Sequence, residues 1–370
     1  MKIAYVANIR FPTEKAHGIQ IAKACEALIA AGAEVTLIIP NRKTSIEDLA
    51  SAYYRVVSFP IRKVFTLDVL YLGKIGFWIQ SVTFAFSALV VLRTEKPDVV
   101  YGRDELVLWV LYLGGVRNLF WESHDGTWNT FSRFIAKKAT GIVVVSEGLK
   151  HFYIEKGVSQ EKIYSTPNGI TVSDFSNPES KESARRRLGL PLDKTIALYI
   201  GRLDGWKGAN TLLEASKLLP SEVVVALIGG ENEQIVSLKE KYPKAIFLGY
   251  KPYSELPNNQ SAGDVLVVPN TGKSAISAGF TSPLKLIAHM ASKRPIVASD
   301  LPSIRELVGE NEAVLVAPDE PKALAEGILK ALEPAVGERL AWGAYTSVSG
   351  FDWSIRAGNI LAFIKTKMLV

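Results

Sequence analysis

Residues 196–208 restrict the fold of this chain more than any other stretch. They begin with five apolar residues that end at Ile200, a pattern typical of a strand buried on both faces of a parallel sheet. A glycine-containing turn with Arg202 and Lys207 follows, and a helical pattern begins at Ala209. Because parallel strands are usually joined through helices, the stretch predicts an α/β protein.

The two cations of this turn lie where open α/β sheets bind their ligands, at the carboxyl end of a strand and beside a helix N-terminus. Helix N-termini attract negative charge, so the expected ligand is an anion. The alternative is a surface loop with two solvated cations.

Length and composition limit the class of protein. A chain of 370 residues is long for one core, which predicts two domains. The net charge of +6 favours anionic substrates or an anionic membrane surface over nucleic acid, and no nucleic-acid-binding module is visible.

Cys25 is the only cysteine, which excludes intrachain disulfides and fits a reducing compartment. The first residues predict a strand and not a secretion signal, so we expect a cytoplasmic protein.

Short apolar runs alternate with helical patterns in both halves of the chain. The first half opens like a Rossmann domain but lacks Gly-x-Gly-x-x-Gly, so no dinucleotide is indicated. The second half repeats the alternation of strand and helix. We predict strands at residues 3–7, 35–39, 99–102, 119–122, 142–146, 196–200, 223–228, 245–248, 265–268, 295–299 and 313–317.

A strongly apolar segment, residues 67–92, approaches the length of a transmembrane helix. Polar residues such as Lys74 and Gln80 interrupt it, and a strand pattern follows at once. We therefore expect a helix packed on the sheet. The alternative is a helix with one face toward a membrane interface, peripheral at the inner face of the cell membrane.

Residues 201–208, Gly-Arg-Leu-Asp-Gly-Trp-Lys-Gly, resemble the donor-diphosphate motif of family 4 glycosyltransferases, also called glycosyl transferases group 1. The likeness continues through residues 282–300 and the segment around Trp353, and it covers nearly the whole chain. It implies the GT-B fold, in which two Rossmann-like domains face each other across a cleft and a C-terminal helix crosses back to the first domain.

The resemblance also implies where the domains divide. Residues 1–175, together with 351–370, would form the acceptor domain, and residues 176–350 would form the domain for the nucleotide-sugar donor. The polar residues 175–194 are the predicted connection between them.

The activity implied by the resemblance is transfer of a sugar from a nucleotide-diphosphate donor to a glycan or lipid-linked acceptor, with retention of anomeric configuration. Arg202 and Lys207 would offset the negative charge that grows on the departing diphosphate. No Asp-x-Asp occurs in the sequence, which argues against a metal-bridged donor, and no cofactor is expected.

The resemblance assigns further residues to the site. His124, in a loop after a strand, would lie beside the donor sugar; the alternative is a structural histidine. Gly18 would let the first loop approach the donor phosphate; the alternative is a helix-entry glycine. The other donor-binding assignments are Gly201 in the diphosphate motif, Tyr250 and Lys251 along the nucleotide base, and Ser282, Pro283 and Leu284 at a helix N-terminus, with Ser282 as N-cap.

The chain departs from the family at Ala288. Family members carry a pair of glutamates spaced Glu-x7-Glu, and this pair falls on Phe280 and Ala288. The second glutamate usually grips the ribose hydroxyls of the donor, so Ala288 is a donor-binding position without its acid. An unusual donor, a substitute group from elsewhere, a degenerate enzyme or an engineered substitution would each explain the difference.

Two other functions stay open at this point. A sugar-nucleotide epimerase shares the architecture, but it needs acid and base carboxylates, and no convincing pair can be placed. A non-catalytic homologue that binds nucleotide sugars would fit the change at Ala288.

Overall fold

The structure is a computed structural model that describes residues 1–203 and 205–369. The chain divides into two compact units. The first comprises Met1–Pro167 and the chain from Trp353 onwards, and the second comprises Asn168–Asp352. The first unit is therefore made of two separate pieces of the sequence.

The polar segment expected to connect the domains, residues 175–194, lies within the second unit. It contains a helix, Lys181–Leu188, which Ser180 caps with its side chain. Arg185 in this helix is 4% exposed, and its guanidinium pairs with the carboxylate of Asp264. The prediction of an interdomain connection was wrong. The segment is polar in composition, but one of its charged residues is buried in an ion pair, which the sequence alone does not show.

The first unit alternates strands and helices. Its strands are β1 (Lys2–Val6), β2 (Glu34–Pro40), β3 (Ile61–Val64), β4 (Val99–Gly102), β5 (Leu119–Ser123), β6 (Gly141–Val144) and β7 (Ile163–Ser165). Its helices before residue 168 are α1 (Ala16–Ala30), α2 (Ala50–Tyr54), α3 (Gly73–Glu95), α4 (Glu105–Leu113), α5 (Thr130–Lys138) and α6 (Glu147–Glu155).

The second unit repeats this construction. Its strands are β8 (Thr195–Ile200), β9 (Val223–Ile228), β10 (Ile246–Phe247), β11 (Val265–Val268), β12 (Ile296–Ser299) and β13 (Val314–Val316). Its helices are α7 (Lys181–Leu188), α8 (Ala209–Ala215), α9 (Asn232–Lys241), α10 (Leu256–Ser261), α11 (Leu284–Met290), α12 (Pro302–Arg305), α13 (Pro321–Ala331) and α14 (Pro334–Ser347). The C-terminal helix, α15 (Trp353–Met368), returns to the first unit.

Both sheets are parallel throughout. The first has seven strands in the order β3-β2-β1-β4-β5-β6-β7, and the second has six in the order β10-β9-β8-β11-β12-β13. The strand order reverses between β1 and β4 and again between β8 and β11. Ligands of open α/β sheets bind at such a reversal, outside the carboxyl ends of the strands.

Helix α3 covers the first sheet with one face only. Phe84, Ala85 and Ala88 on that face are fully buried, whereas Ile75 and Phe86 are 69% and 59% exposed. The helical segment Leu70–Glu95 is long and apolar enough to cross a membrane by length and composition, but 44% of its most apolar stretch is buried inside the protein. The expected helix packed on the sheet is present, and its outer face is apolar.

Helix α15 is fixed to the first unit by both polar and aromatic contacts. Arg356 donates from Nη2 to Glu122 Oε1 at 2.8 Å and from Nε to the carbonyl of Pro167 at 2.9 Å. The ring of Phe363 stacks on Tyr164 with centroids 5.4 Å apart. The return of the last helix to the first unit agrees with the fold that the resemblance implied.

Candidate functional site

The turn after β8 lies at the reversal point of the second sheet and carries both predicted phosphate ligands. Arg202 is exposed, and its carbonyl accepts a hydrogen bond of 2.5 Å from the hydroxyl of Tyr199. Lys207 ends a short 3-10 turn, and its Nζ lies 3.5 Å from the ring centroid of Trp206. The structure therefore brings both cations to one turn at the carboxyl end of a central strand.

Close packing explains why this turn ends in glycine. Gly208 has φ of +75° and caps the N-terminus of α8. A Cβ at this position would lie 1.6 Å from the carbonyl oxygen of Pro269, which follows β11. Any side chain would push the turn away from the neighbouring strand end. The glycine thus holds the cation-bearing turn against the end of β11.

The loops after β9 and β10 border the same edge of the sheet. The amide of Gly229 donates to the carbonyl of Gly249 at 2.8 Å, which joins the two loops. Tyr250 is 53% exposed and Lys251 is half-buried. Both side chains follow a strand at its carboxyl end, as the sequence indicated, and their contact with a nucleotide base stays a prediction.

The entry to α11 differs from the prediction by one residue. Pro283, and not Ser282, occupies the N-cap, and no side chain caps the helix. Ser282 Oγ instead accepts a hydrogen bond of 2.9 Å from the amide of Asn168, and the carbonyl of Ser282 accepts one of 2.7 Å from Asn168 Nδ2. The sequence could not show this because the two residues are 114 positions apart. Leu284 is the first helical residue, and its part in phosphate binding stays a prediction.

Ala288 lies in the core of the second unit. It is 1% exposed and belongs to an apolar cluster that includes Val268, Leu286 and Met290. The residue three positions earlier on the same helix is Lys285, and residues at this spacing are neighbours on a helix surface. An acid at Ala288 would therefore be a neighbour of a lysine in largely apolar surroundings.

Gly18 has a structural reason that the sequence did not reveal. It lies inside α1, and a Cβ there would come within 2.2 Å of the hydroxyl of Tyr54. That hydroxyl donates to the carbonyl of Thr13 at 2.8 Å and accepts from the amide of Thr13 at 2.7 Å. The glycine makes room for a tyrosine that fixes the first loop, and its approach to a donor phosphate stays a prediction.

Glu122 organises the site of the first unit. It lies in β5, its side chain is fully buried, and Oε1 accepts hydrogen bonds from Arg103 Nη2 at 3.1 Å, Arg356 Nη2 at 2.8 Å and His124 Nε2 at 2.8 Å. Burial alone would raise the pKa of Glu122, but the two guanidinium groups hold it well below its usual range. Glu122 is thus a carboxylate that can only accept hydrogen bonds.

Burial decides the charge of His124, and the contact with Glu122 decides which ring nitrogen carries the hydrogen. Burial lowers the pKa of His124 to about 4, and the charge of Arg103 adds to this effect. The imidazole is therefore neutral at pH 7, with its single hydrogen on Nε2, where Glu122 accepts it. Nδ1 is left as a hydrogen-bond acceptor on a ring whose side chain is 24% exposed. Such a nitrogen can accept from a sugar hydroxyl but cannot donate.

Sequence reasoning did not single out four residues of these sites: Glu122, Arg103, Arg356 and Lys285. Glu122 follows three apolar residues at a strand end, and an acid inside an otherwise apolar strand is a signal that the sequence does offer. Among the described residues, no group of three His, Cys, Asp or Glu side chains is arranged to hold a metal ion.

Comparisons with known proteins agree with this architecture. The model of Glycosyltransferase Family 4 matches residues 18–174, and the model of Glycosyl transferases group 1 matches residues 194–334. Together the two models cover most of the chain, one in each half.

Two relatives show moderate sequence identity to this chain. The chain is 28% identical over 264 residues to the putative teichuronic acid biosynthesis glycosyltransferase TuaC of Bacillus subtilis, which covers 66% of this chain and 64% of that protein. It is 28% identical over 243 residues to a phosphatidyl-myo-inositol mannosyltransferase of Mycobacterium tuberculosis, which covers 62% and 60%. The matches span less than two thirds of the length of either relative.

Solved structures resemble the chain over its whole length. Sucrose-phosphate synthase from Thermosynechococcus elongatus has a TM-score of 0.80 at 21% identity and covers 99% of this chain and 98% of its own. Anabaena HepE, solved in complex with UDP-glucose, has a TM-score of 0.78 at 17% identity and covers 99% of both chains. These likenesses and the two parallel sheets confirm the predicted fold class. By its two matching family models and its fold, the chain belongs to the family 4, group 1 glycosyltransferases.

Proposed function

We propose that this chain transfers a sugar from a nucleotide-diphosphate sugar to a glycan or lipid-linked acceptor, with retention of anomeric configuration and without a metal ion. The observation that carries the proposal is the turn that places Arg202 and Lys207 at the reversal point of the second sheet. Retention is taken from the family resemblance.

The chemistry of the leaving group gives the two cations their role. When the bond between sugar and diphosphate breaks, negative charge grows on the diphosphate oxygens. Arg202 can bind two of these oxygens through its planar guanidinium, and Lys207 adds a second positive charge on a flexible stem. Fixed charges of this kind stabilise a transition state without reorganisation of solvent, and they would replace a metal ion.

His124 would act on the sugar through a hydrogen bond. Its Nδ1 can accept from a hydroxyl, while Glu122 holds the opposite nitrogen and so fixes the plane of the ring. This is a positioning function and not acid catalysis, because a pKa of about 4 leaves no proton to donate at pH 7.

Of the alternative functions, the epimerase requires a carboxylic acid that can donate a proton, and Glu122 does not meet this requirement. Its carboxylate lies in β5, accepts hydrogen bonds from two arginines and is ionised, so it cannot serve as the required acid. A non-catalytic sugar-nucleotide-binding protein is favoured by one observation, the apolar side chain of Ala288 at the position of the usual acid.

An activity assay separates these functions. The protein is incubated with a panel of nucleotide sugars and with glycan and lipid extracts, with and without a chelator. A glycosylated product with retained configuration, formed equally with chelator present, supports the proposal. Free isomerised donor would indicate the epimerase, and donor binding without any turnover would indicate the non-catalytic homologue.

The outer face of α3 would hold the protein at an anionic membrane, where a lipid-linked acceptor is found. Ile75, Trp78 and Phe86 are exposed on it, and Trp78 lies edge-on against Phe131 of α5 with ring centroids 5.1 Å apart. The last turn of α5 carries Lys137 and Lys138. An apolar face beside basic residues is typical of helices that lie in a membrane interface.

Sedimentation with vesicles of phosphatidylglycerol and phosphatidylcholine tests this attachment. Binding should weaken as salt increases, because surface attraction is screened within about 10 Å at 0.1 M salt. Exchange of both Ile75 and Phe86 for serine should release the protein. The matched control is Val236→Ser, which removes another exposed apolar side chain, in α9. Vesicle binding that the double variant leaves unchanged would exclude this face as the site of attachment.

A further inference from the structure

Lys285, in the first turn of α11, carries a buried amine without a hydrogen-bond partner among the described residues. Its Nζ is shielded from solvent, and no hydrogen-bond acceptor among the described residues reaches it. The ring centroid of Tyr199 lies 4.6 Å away, and the face of a ring is only a weak partner for an ammonium group. A buried amine without a full partner is costly, so its retention needs an explanation.

Among the residues that the structure describes, no negative charge shifts the pKa of Lys285. Lys207 from the turn after β8 is a second cation, and His289 on the same helix is buried with its pKa lowered to about 3, so it is neutral at pH 7. Ala288, three residues along the helix, has no carboxylate to offer. Burial, reinforced by the charge of Lys207, lowers the pKa of Lys285 well below its ordinary value.

A second unpaired group lies beside the same turn. Both polar atoms of the Asn270 side-chain amide are buried without a partner in the described part of the chain. Its backbone is close to the glycine at the end of the turn, because a Cβ on Gly208 would lie 3.2 Å from the amide nitrogen of Asn270. At the other end of the turn, Tyr199 links Lys285 to the carbonyl of Arg202.

We propose that Lys285 is a further ligand of the donor diphosphate and that its amine takes up a proton from the solvent when the diphosphate binds. The inference rests on the proposed function and adds a residue and a proton to it. A diphosphate would supply the acceptor that Lys285 lacks among the described residues, and the protonated amine would then donate to a phosphate oxygen. The flexible four-carbon stem of lysine allows Nζ to turn toward the ligand.

Titration calorimetry counts this proton. Uridine diphosphate, with adenosine and guanosine diphosphates in parallel, is titrated into the protein at pH 8 in two buffers of different ionisation enthalpy. We expect the wild type to take up protons as the nucleotide binds, because burial lowers the pKa of Lys285 in the unliganded protein. The Lys285→Met variant should take up none and bind about 10-fold or more weakly, because a hydrogen bond to a charged group is lost.

Methionine is chosen because it is of similar length and removes the buried amine without adding a polar group, so the unliganded variant should melt no lower than the wild type. The matched control is Lys239→Met, an exposed lysine of α9, which should behave as wild type in both measurements. Inorganic pyrophosphate, which lacks base and ribose, should lose affinity in Lys285→Met by the same factor as the nucleotide.

The outcomes separate this inference from the proposed function. Equal affinity and equal proton uptake in Lys285→Met and wild type would overturn the role of Lys285 and leave the proposed function intact. A loss of nucleotide affinity without loss of pyrophosphate affinity would also overturn it, because the contact would then not be to the diphosphate. Failure of the wild type to bind any of the three nucleotides would overturn the proposed function, and the inference with it.

Discussion

The charged groups at the carboxyl ends of the two sheets are arranged in opposite ways. In the first unit, Glu122 accepts hydrogen bonds from two arginines and a histidine, so its negative charge is fully matched inside the protein. In the second unit, neither the amine of Lys285 nor the side-chain amide of Asn270 has a hydrogen-bond partner within the part of the chain that the structure describes. A matched cluster holds side chains in place, whereas an unmatched one is suited to receive charge from a ligand.

The largest expected effect is on stability and concerns the matched cluster. Glu122→Gln removes the negative charge between two buried guanidinium groups, and breaking a buried pair in this way costs about 3–5 kcal/mol. Urea denaturation should show this loss in the free energy of unfolding at pH 7. The loss should shrink at low pH, because a carboxylate with a depressed pKa stabilises the fold above its unfolded pKa and loses that contribution as pH falls through its folded pKa.

A control variant makes the result specific to the matched charge. Glu326→Gln removes an exposed glutamate that lies 4.0 Å from Lys322 Nζ, and it should change stability little. If Glu122→Gln were no less stable than this control, the view of Glu122 as the centre of the cluster would be wrong.

The next effect is on turnover and concerns the cations of the second unit. Arg202→Ala or Lys207→Ala should lower turnover by about two to three orders of magnitude, because loss of one preorganised contact to a developing anion costs roughly 3–4 kcal/mol. Steady-state kinetics with the active donor provides the measurement. Stability should change little, since Arg202 is exposed and Lys207 is half-buried. Turnover near that of wild type in either variant would count against the diphosphate assignment.

The smallest effect tests whether the second unit accepts a carboxylate of its own. If the resemblance places α11 correctly, Ala288→Glu should tighten ribonucleoside diphosphate binding, because each hydrogen bond to the charged group contributes about 1.5–3 kcal/mol. The 2′,3′-dideoxy analogue lacks both hydroxyls and should gain much less. Calorimetry with the two nucleotides decides between this and a second result. Weaker binding of both nucleotides would show that the new acid pairs with Lys285. The lysine would then have a carboxylate partner inside the protein, as the arginines around Glu122 do.

Local pattern was enough to predict the central strands. β4, β9 and β11 begin and end at the residues expected from the sequence, because each is an apolar run whose ends are marked by a change in composition. β3 was missed because it is an edge strand with Arg62 and Lys63 among its four residues, and a strand exposed on one side needs no apolar run.

Contacts between distant residues were beyond the sequence. Arg356 and Glu122 are 234 positions apart, and nothing local to either one predicts their hydrogen bond. The burial of Lys285 could not be predicted either. A lysine in the first turn of a helix is ordinarily solvated, and only the folded structure shows that its amine is buried. The turn that carries Arg202 and Lys207 could be predicted because its residues are consecutive in the sequence.

The first unit is formed by two separate pieces of the sequence, and this has a consequence for its synthesis. The second unit, Asn168–Asp352, is continuous and can complete its core as soon as its own residues have left the ribosome. Glu122 is synthesised long before its partner Arg356. It therefore lacks one of its two arginine partners while the whole second unit is translated. The order of translation therefore predicts that the inserted unit matures first, and that the unit which surrounds it in sequence is closed by the last helix to emerge.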